Sequence, residues 1–78
     1  MANGRFQQTK AEVGAHQECI DLCDNGYLLV SRGMALNGSY YILRHHSNGR
    51  KLSIFVEGDG YVVKENGTMI KAVGYVNP

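Results

Sequence analysis

Tryptophan is absent from this 78-residue chain, and proline and cysteine are scarce, with one and two copies. Two cysteines do not make a disulfide framework, so a disulfide-rich secreted scaffold is not expected. No apolar run approaches the roughly 18 residues of a membrane span, and the first residues lack the apolar segment of a secretory signal. We therefore expect a cytoplasmic protein that makes no use of a membrane.

Excess charge is also lacking. Eight Lys and Arg stand against seven Asp and Glu, a net charge of +1. A strongly basic protein that wraps nucleic acid and an acidic mimic of DNA are both excluded, because each needs a marked excess of one sign. With 44% hydrophobic residues the chain can fold, and its length predicts a single domain over 1–78.

Glycine, by contrast, is abundant, with 10 copies, and it marks turns. Asn-Gly and Asp-Gly pairs tolerate the positive φ angles of tight hairpin turns, which makes them a strong hairpin signal. From residue 26 onward such pairs alternate with short runs rich in Val, Ile, Tyr and Leu. These runs predict five strands of an antiparallel meander over 26–76: Tyr27–Arg32, Ser39–His46, Arg50–Glu57, Tyr61–Glu65 and Thr68–Val76.

Residues 8–24 differ from the rest and predict a single helix, preceded by a flexible lead over 1–7. Thr9 can cap this helix, with Glu12 three residues later as in a capping box, and an Asn-Gly pair follows as a stop. The larger side chains recur at helical spacing and predict the stripe that packs on the sheet: Phe6, Val13, His16, Ile20 and Cys23.

Turn chemistry predicts the strand register, and the register decides which side chains share a face. A two-residue turn centred on Asn48-Gly49 pairs Leu43 with Ile54, and Asn66-Gly67 centres the last hairpin in the same way. If the turn within Gly58–Gly60 has two residues, the apolar side chains of the two hairpins point to the same face of the sheet. A three-residue loop would turn those of the second hairpin to the opposite face. The two-residue interpretation predicts an inner, helix-covered face of Tyr41, Leu43, Leu52, Ile54, Val56, Tyr61, Val63, Ile70 and Ala72.

These elements predict an α+β fold in which the helix packs on a four- to five-stranded antiparallel meander. The outer face of the predicted sheet is apolar where a solvated face would be polar. Either the strongly coiled sheet closes partly into a small barrel with one helix, or this face binds a partner. Met69 lies beside the apolar side chains of this outer face, and the charged residues Glu57, Lys64 and Lys71 belong to the rim around them.

A contiguous apolar patch with a charged rim is typical of a contact surface. We expect another protein, or a second copy in a homodimer, to bind there. The predicted partner-binding residues are Tyr40, Ile42, Arg44, His46, Lys51, Phe55, Val62, Val73 and Tyr75.

Basic residues gather around the tip of one predicted hairpin: Arg44, His45, His46, Arg50 and Lys51. With Tyr40 and Tyr41 nearby, this pattern is typical of a platform for single-stranded nucleic acid. Because neighbouring strand residues point to opposite faces, His46 is expected to join Arg44 and Lys51 outside. Three cations are few for tight phosphate binding, so nucleic-acid binding through Arg44–Lys51 is the alternative function.

Residues that could carry chemistry are few. His16, Cys19 and Cys23 share one side of the predicted helix, with His45 beneath, and two cysteines and two histidines can bind zinc. The usual close Cys pair in a loop is absent, however, and buried cysteines also act as small apolar residues. No nucleophile with an oriented base, no carboxylate pair in a cleft and no phosphate-binding loop is indicated. We expect no metal, no cofactor and no catalytic residue.

The sequence therefore predicts a small non-enzymatic protein-interaction module. Stand-alone domains of this size without site chemistry are often inhibitors or adaptors of a larger protein, including those that phages carry, so we expect that kind of role. A viral origin is an expectation from size alone.

Overall fold

A computed structural model describes residues 9–35 and 38–75 of the chain. Its elements are α1 (Lys10–Asp24), β1 (Tyr27–Ala35), β2 (Gly38–His45), β3 (Lys51–Glu57), β4 (Gly60–Glu65) and β5 (Thr68–Gly74). The strands form one antiparallel sheet in sequence order, with α1 packed against one face. The predicted α+β meander is confirmed, and the sheet is not closed into a barrel. The expected lead over 1–7, the predicted helix start at Gln8 and the predicted strand end at Val76 lie outside the described residues, as does Phe6 of the predicted stripe.

Helix α1 begins at the predicted cap. The Thr9 hydroxyl accepts a hydrogen bond from the Glu12 amide at 3.1 Å, which satisfies one of the free amides of the first turn. The Glu12 carboxylate does not complete a capping box but accepts from the Ser39 hydroxyl at 3.2 Å, tying the helix to β2. The helix stops where Gly26 takes a φ of 96°, which favours glycine.

The predicted stripe of large helical side chains is wrong. Val13 and Ile20 are exposed, as are His16 and Cys23. The helix instead packs on the sheet through a different side, whose buried side chains are small: Ala11, Ala15 and Cys19. Leu22 packs beside them. Small residues let the helix backbone approach a sheet whose own face carries bulky tyrosines, so size decided the packed stripe more than hydrophobicity did.

The β2–β3 hairpin differs from the predicted register by two positions. Leu43 pairs with Leu52 instead of Ile54, because the connection is the four-residue loop 46–49 and not a two-residue turn. The imidazole Nδ1 of His45 accepts from the backbone amides of Ser47 and Asn48 at 3.2 and 3.4 Å and so holds the longer loop. A shift of two leaves every side chain on its predicted face, since the strand period is two.

The next two turns are two-residue turns, as predicted. Gly58 has a positive φ and Glu57 pairs with Gly60, which keeps Ile54 and Val63 opposite each other on one face. At the last turn both Asn66 and Gly67 have positive φ, as a type I′ turn requires.

One extra residue in β5 overturns part of the face assignment. Lys64 pairs with Met69, but Val63 pairs with Lys71, so Ile70 is a bulge residue without a partner in the ladder. Beyond it β5 is shifted by one, which turns every side chain to the other face. Ile70 and Ala72, predicted to be inner, are exposed. The rest of the predicted inner face is buried: Tyr41, Leu43, Leu52, Ile54, Val56, Tyr61 and Val63.

Candidate interaction surface

The face of the sheet opposite the helix is not covered by any described residue. Strand pairing arranges its side chains in rows that run across the sheet. One row is Gly33, Tyr40, Phe55, Val62 and Ala72. We name the second, at the end nearest the β2–β3 loop, the basic row: Leu28, Arg44 and Lys51. Between the two lie Ser31, Ile42, Ser53, Lys64 and Met69.

The first of these rows, which we name the apolar row, presents a hydrophobic surface. Tyr40 and Phe55 are direct cross-strand neighbours on the interior strands β2 and β3, and both are half-buried, as is Val62 beside them on β4. The ring of Tyr40 lies across Gly33 of β1, in the space that a Cβ at that position would occupy. An aromatic ring that covers a strand glycine turns its other side outward, as a platform would.

The basic row contains an electrostatic conflict. Arg44 and Lys51 are exposed and directly opposite each other on β2 and β3. Like charges in this relation destabilise a sheet. Within the described part of the chain neither side chain has an acidic partner, because the ion pairs found there are Arg50–Glu65 and Lys71–Glu18. The pair is therefore an uncompensated positive site on the same face as the apolar row.

A third cation links the two rows. The Lys64 ammonium lies 5.3 Å from the centroid of the Phe55 ring, within the range of a cation–π contact. It thereby places positive charge over the middle of the outer face. Glu57, at the opposite end of β3 from Lys51, is the acidic residue of this face.

Three residues expected on this surface lie elsewhere. The bulge at Ile70 turns Val73 to the helix side, where it packs against the core, as does Tyr75. The ring of Tyr75 lies 6.5 Å from that of Tyr61, and its hydroxyl reaches Gly14 of the helix. Lys71, an expected member of the rim, donates to Glu18 of the helix at 2.6 Å.

The predicted basic hairpin tip is divided. Arg50 lies on the helix side and forms two hydrogen bonds with Glu65, at 2.8 and 2.6 Å. This pairing holds the pKa of the Glu65 carboxyl below its ordinary value and raises that of the Arg50 guanidinium. His46 stacks on His45, with ring centroids 5.1 Å apart, and it lies in the loop near the basic row instead of pairing with Lys51.

A depression of about 550 Å³ between α1 and β5 is lined by several polar side chains of the helix side. Glu18 lies in it and accepts from the Tyr61 hydroxyl at 2.9 Å as well as from Lys71. Burial, with this hydrogen bond, raises the pKa of the Tyr61 phenol well above its ordinary value. The hydrogen bonds that Glu18 accepts from Tyr61 and Lys71 join the helix to the sheet.

The histidines and cysteines do not gather. His45 contacts the ring of Tyr27 and the Asn25 carbonyl, whereas His16 is exposed near Tyr41. Over the described ranges, no group of three or more His, Cys, Asp or Glu is placed to hold a metal ion. Both cysteines are free, and burial raises the pKa of the Cys19 thiol, which lowers its nucleophilicity.

Sequence reasoning missed two members of the surface on β1. Leu28 pairs with Arg44 and is the apolar residue at the β1 end of the basic row. Gly33 lies beneath the ring of Tyr40. The register of β1 could not be derived, because a bulge at Val30 shifts its pairing with β2 by one position. A glycine within an apolar strand was the available signal, since such a glycine often marks a close approach.

Comparisons with family models, with curated proteins and with solved structures give no match to this chain. Among the described residues, the single helix α1 is too short and too polar to cross a membrane. The geometry of the outer face is therefore the basis on which a function is proposed.

Proposed function

We propose that this chain is a non-enzymatic interaction module that binds a partner protein through the outer face of its sheet. The partner contributes an apolar contact for Tyr40, Ile42, Phe55 and Val62, flanked by acidic side chains for Arg44 and Lys51. The observation that carries this proposal is the Arg44–Lys51 pair, which shares a face with the apolar row, across Ile42 and Ser53, and has no acidic partner among the described residues.

The charges of the two sides of the molecule support an acidic partner over a second copy bound face to face. On the outer face three cations stand against Glu57, whereas α1 carries four acidic residues and one lysine. Two outer faces brought together would oppose their cations, and such a contact loses specificity and association rate. An acidic surface would instead neutralise the like-charged pair as it docks.

The role of such a contact is that of an inhibitor or adaptor of a larger protein. A patch with an apolar centre and a charged rim is the usual composition of a protein–protein contact. Its cations would speed the encounter with an acidic partner, and its aromatic residues would hold the complex. The two free cysteines agree with a reducing compartment, and we place the protein in the cytoplasm.

Capture from a lysate, followed by binding to the purified partner, tests the proposal. We expect Phe55→Ser to abolish binding, because it removes the centre of the apolar row. The double variant Arg44→Glu with Lys51→Glu should slow association mainly, with the effect shrinking as salt is added. Lys10→Glu, a charge reversal on the helix side, is the matched control and should bind like the wild type. Equal binding by all four proteins would contradict the proposal.

Single-stranded nucleic acid is the second candidate, and one observation favours it. Tyr40 and Phe55 lie side by side on the neighbouring interior strands β2 and β3 with cations on the same face, which is how sheet platforms stack bases. The small net charge of the face predicts weak binding at about 150 mM salt. Fluorescence anisotropy with labelled oligonucleotides decides: micromolar binding at that salt, lost in the Arg44/Lys51 double variant, would replace the protein partner by a nucleic acid.

A further inference from the structure

The strand β1 forms one edge of the open sheet and is unusually apolar for an edge. It is nine residues long and pairs with β2 on one side, while no described residue pairs with its other side. Four of its large side chains are between 45% and 75% exposed: Leu28, Leu29, Val30 and Met34. An exposed, apolar edge with free amides and carbonyls is a template for another strand.

Devices that normally protect an edge are sparse in β1. Such devices are lysines, prolines, charges turned inward and bulges. The strand has a bulge at Val30 and one charged residue, Arg32, whose guanidinium carbon lies 5.3 Å from the centroid of the Tyr41 ring on the helix side. The opposite edge, β5, is shorter and carries Lys71, which is paired with Glu18.

We propose that β1 pairs antiparallel with β1 of a second copy, which joins two five-stranded sheets into one. The chemistry favours a second copy because β1 is nearly uncharged and apolar on both of its faces, so that its own equivalent complements it. Face-to-face contact of the outer surfaces, by contrast, brings the cations of two basic rows together. Sheet extension also satisfies the backbone groups of both edges at once.

The symmetry of this pairing has a consequence for the outer face. Two antiparallel edge strands are related by a twofold axis perpendicular to the sheet, so both helices lie on one side and both outer faces on the other. Leu28 lies at the seam, next to Arg44. A dimer therefore presents one continuous surface with two basic rows, and a partner with two acidic sites would bind it more tightly than one.

The two bulge residues provide a matched pair of variants. Val30 in β1 and Ile70 in β5 are 62% and 52% exposed, and each is the extra residue of an edge strand. We expect native mass spectrometry and sedimentation to show a wild-type dimer at micromolar concentration. Val30→Lys should give monomers with an unchanged circular dichroism spectrum, and Ile70→Lys should remain dimeric. A wild-type protein that stays monomeric up to its solubility limit would overturn the proposal.

Hydrogen exchange supplies a measurement that does not depend on a variant. As the wild-type concentration rises, amides of β1 should gain protection while those of β5 do not change. Protection gained first on the outer face strands β3 and β4, or a dimer that survives Val30→Lys, would overturn pairing through β1. Self-pairing is also wrong if the chain alone is monomeric and Val30→Lys instead removes binding of a heterologous protein, because β1 would then accept a foreign strand.

Discussion

The two faces of the sheet differ in the burial of their large side chains and in the pairing of their charges. Towards the helix, every large hydrophobic side chain of β2–β4 is buried, and two cations, Arg50 and Lys71, are paired with Glu65 and Glu18. Away from it, aromatic side chains remain half-exposed and Arg44 faces Lys51 without compensation. Folding stability accounts for the packing and ion pairs of the first face, whereas the like-charged pair on the second face lowers stability, which favours binding as the reason for that pair.

Neighbouring residues of β3 expose this difference most directly. Ile54 is fully buried under the helix, whereas Phe55, the next residue, lies half-exposed on the apolar row. Ile54→Ala should lower the free energy of unfolding by about 2–5 kcal/mol, because it leaves a cavity in the core. Phe55→Ser should lower it by only about 1 kcal/mol, a fraction of the value for full burial.

Urea unfolding followed by circular dichroism measures both changes. The contrast between the two faces is wrong if Phe55→Ser lowers the free energy of unfolding as much as Ile54→Ala does. In that case Phe55 belongs to a core and the outer face is not free to bind.

Whether the sequence predicts the correct face for a side chain depends on whether the error in strand register is an even or an odd number of residues. The Asn48-Gly49 hairpin is shifted by two positions, and its faces are as predicted, because a shift of two preserves alternation. The bulge at Ile70 shifts β5 by one, and Val73 and Tyr75 change sides. No residue type near Ile70 signals that bulge, so the set of partner-binding residues on β5 could not be derived.

The helix teaches a related lesson about residue size. The sequence indicated its existence, its Thr9 cap and its end, because these depend on local chemistry. Its packed side could not be predicted in the same way, since Ala11 and Ala15 are buried while the larger Val13 is exposed. Close approach to a sheet filled with tyrosines selected small side chains, and that selection depends on the partner surface and not on the helix sequence.

A substitution on the outer face should raise the free energy of unfolding, by a smaller amount than the losses above. Arg44→Thr removes the like-charge opposition to Lys51 and introduces a residue that suits strands. We expect it to raise the free energy of unfolding by about 0.2–1 kcal/mol, while it weakens binding of the partner. Lys64→Thr is the matched control, because Lys64 opposes Ser53 and not a cation, and it should bring no gain. Urea unfolding at low and high salt measures the change, which should shrink as salt screens the pair. A loss of stability in Arg44→Thr would show that the arginine is structural.

The smallest expected effect concerns the compensated charges of the helix side. The hydrogen bonds from Arg50 hold the pKa of Glu65 below its ordinary value of 4.5 in the folded protein. The unfolded chain therefore takes up a proton first as the pH falls, so the contribution of this pair is present above about pH 4.5 and is lost as the pH falls through the lower, folded value. Because both side chains are accessible to solvent, the loss should be small and should diminish in high salt. Unfolding free energies measured from pH 6 down to pH 3 should fall less steeply in Arg50→Gln than in the wild type, since the unpaired Glu65 then titrates alike in both states. Identical slopes in the two proteins would mean that the Arg50–Glu65 ion pair contributes nothing to the stability of the folded state, and that the charges of this pair do not distinguish the helix side from the outer face.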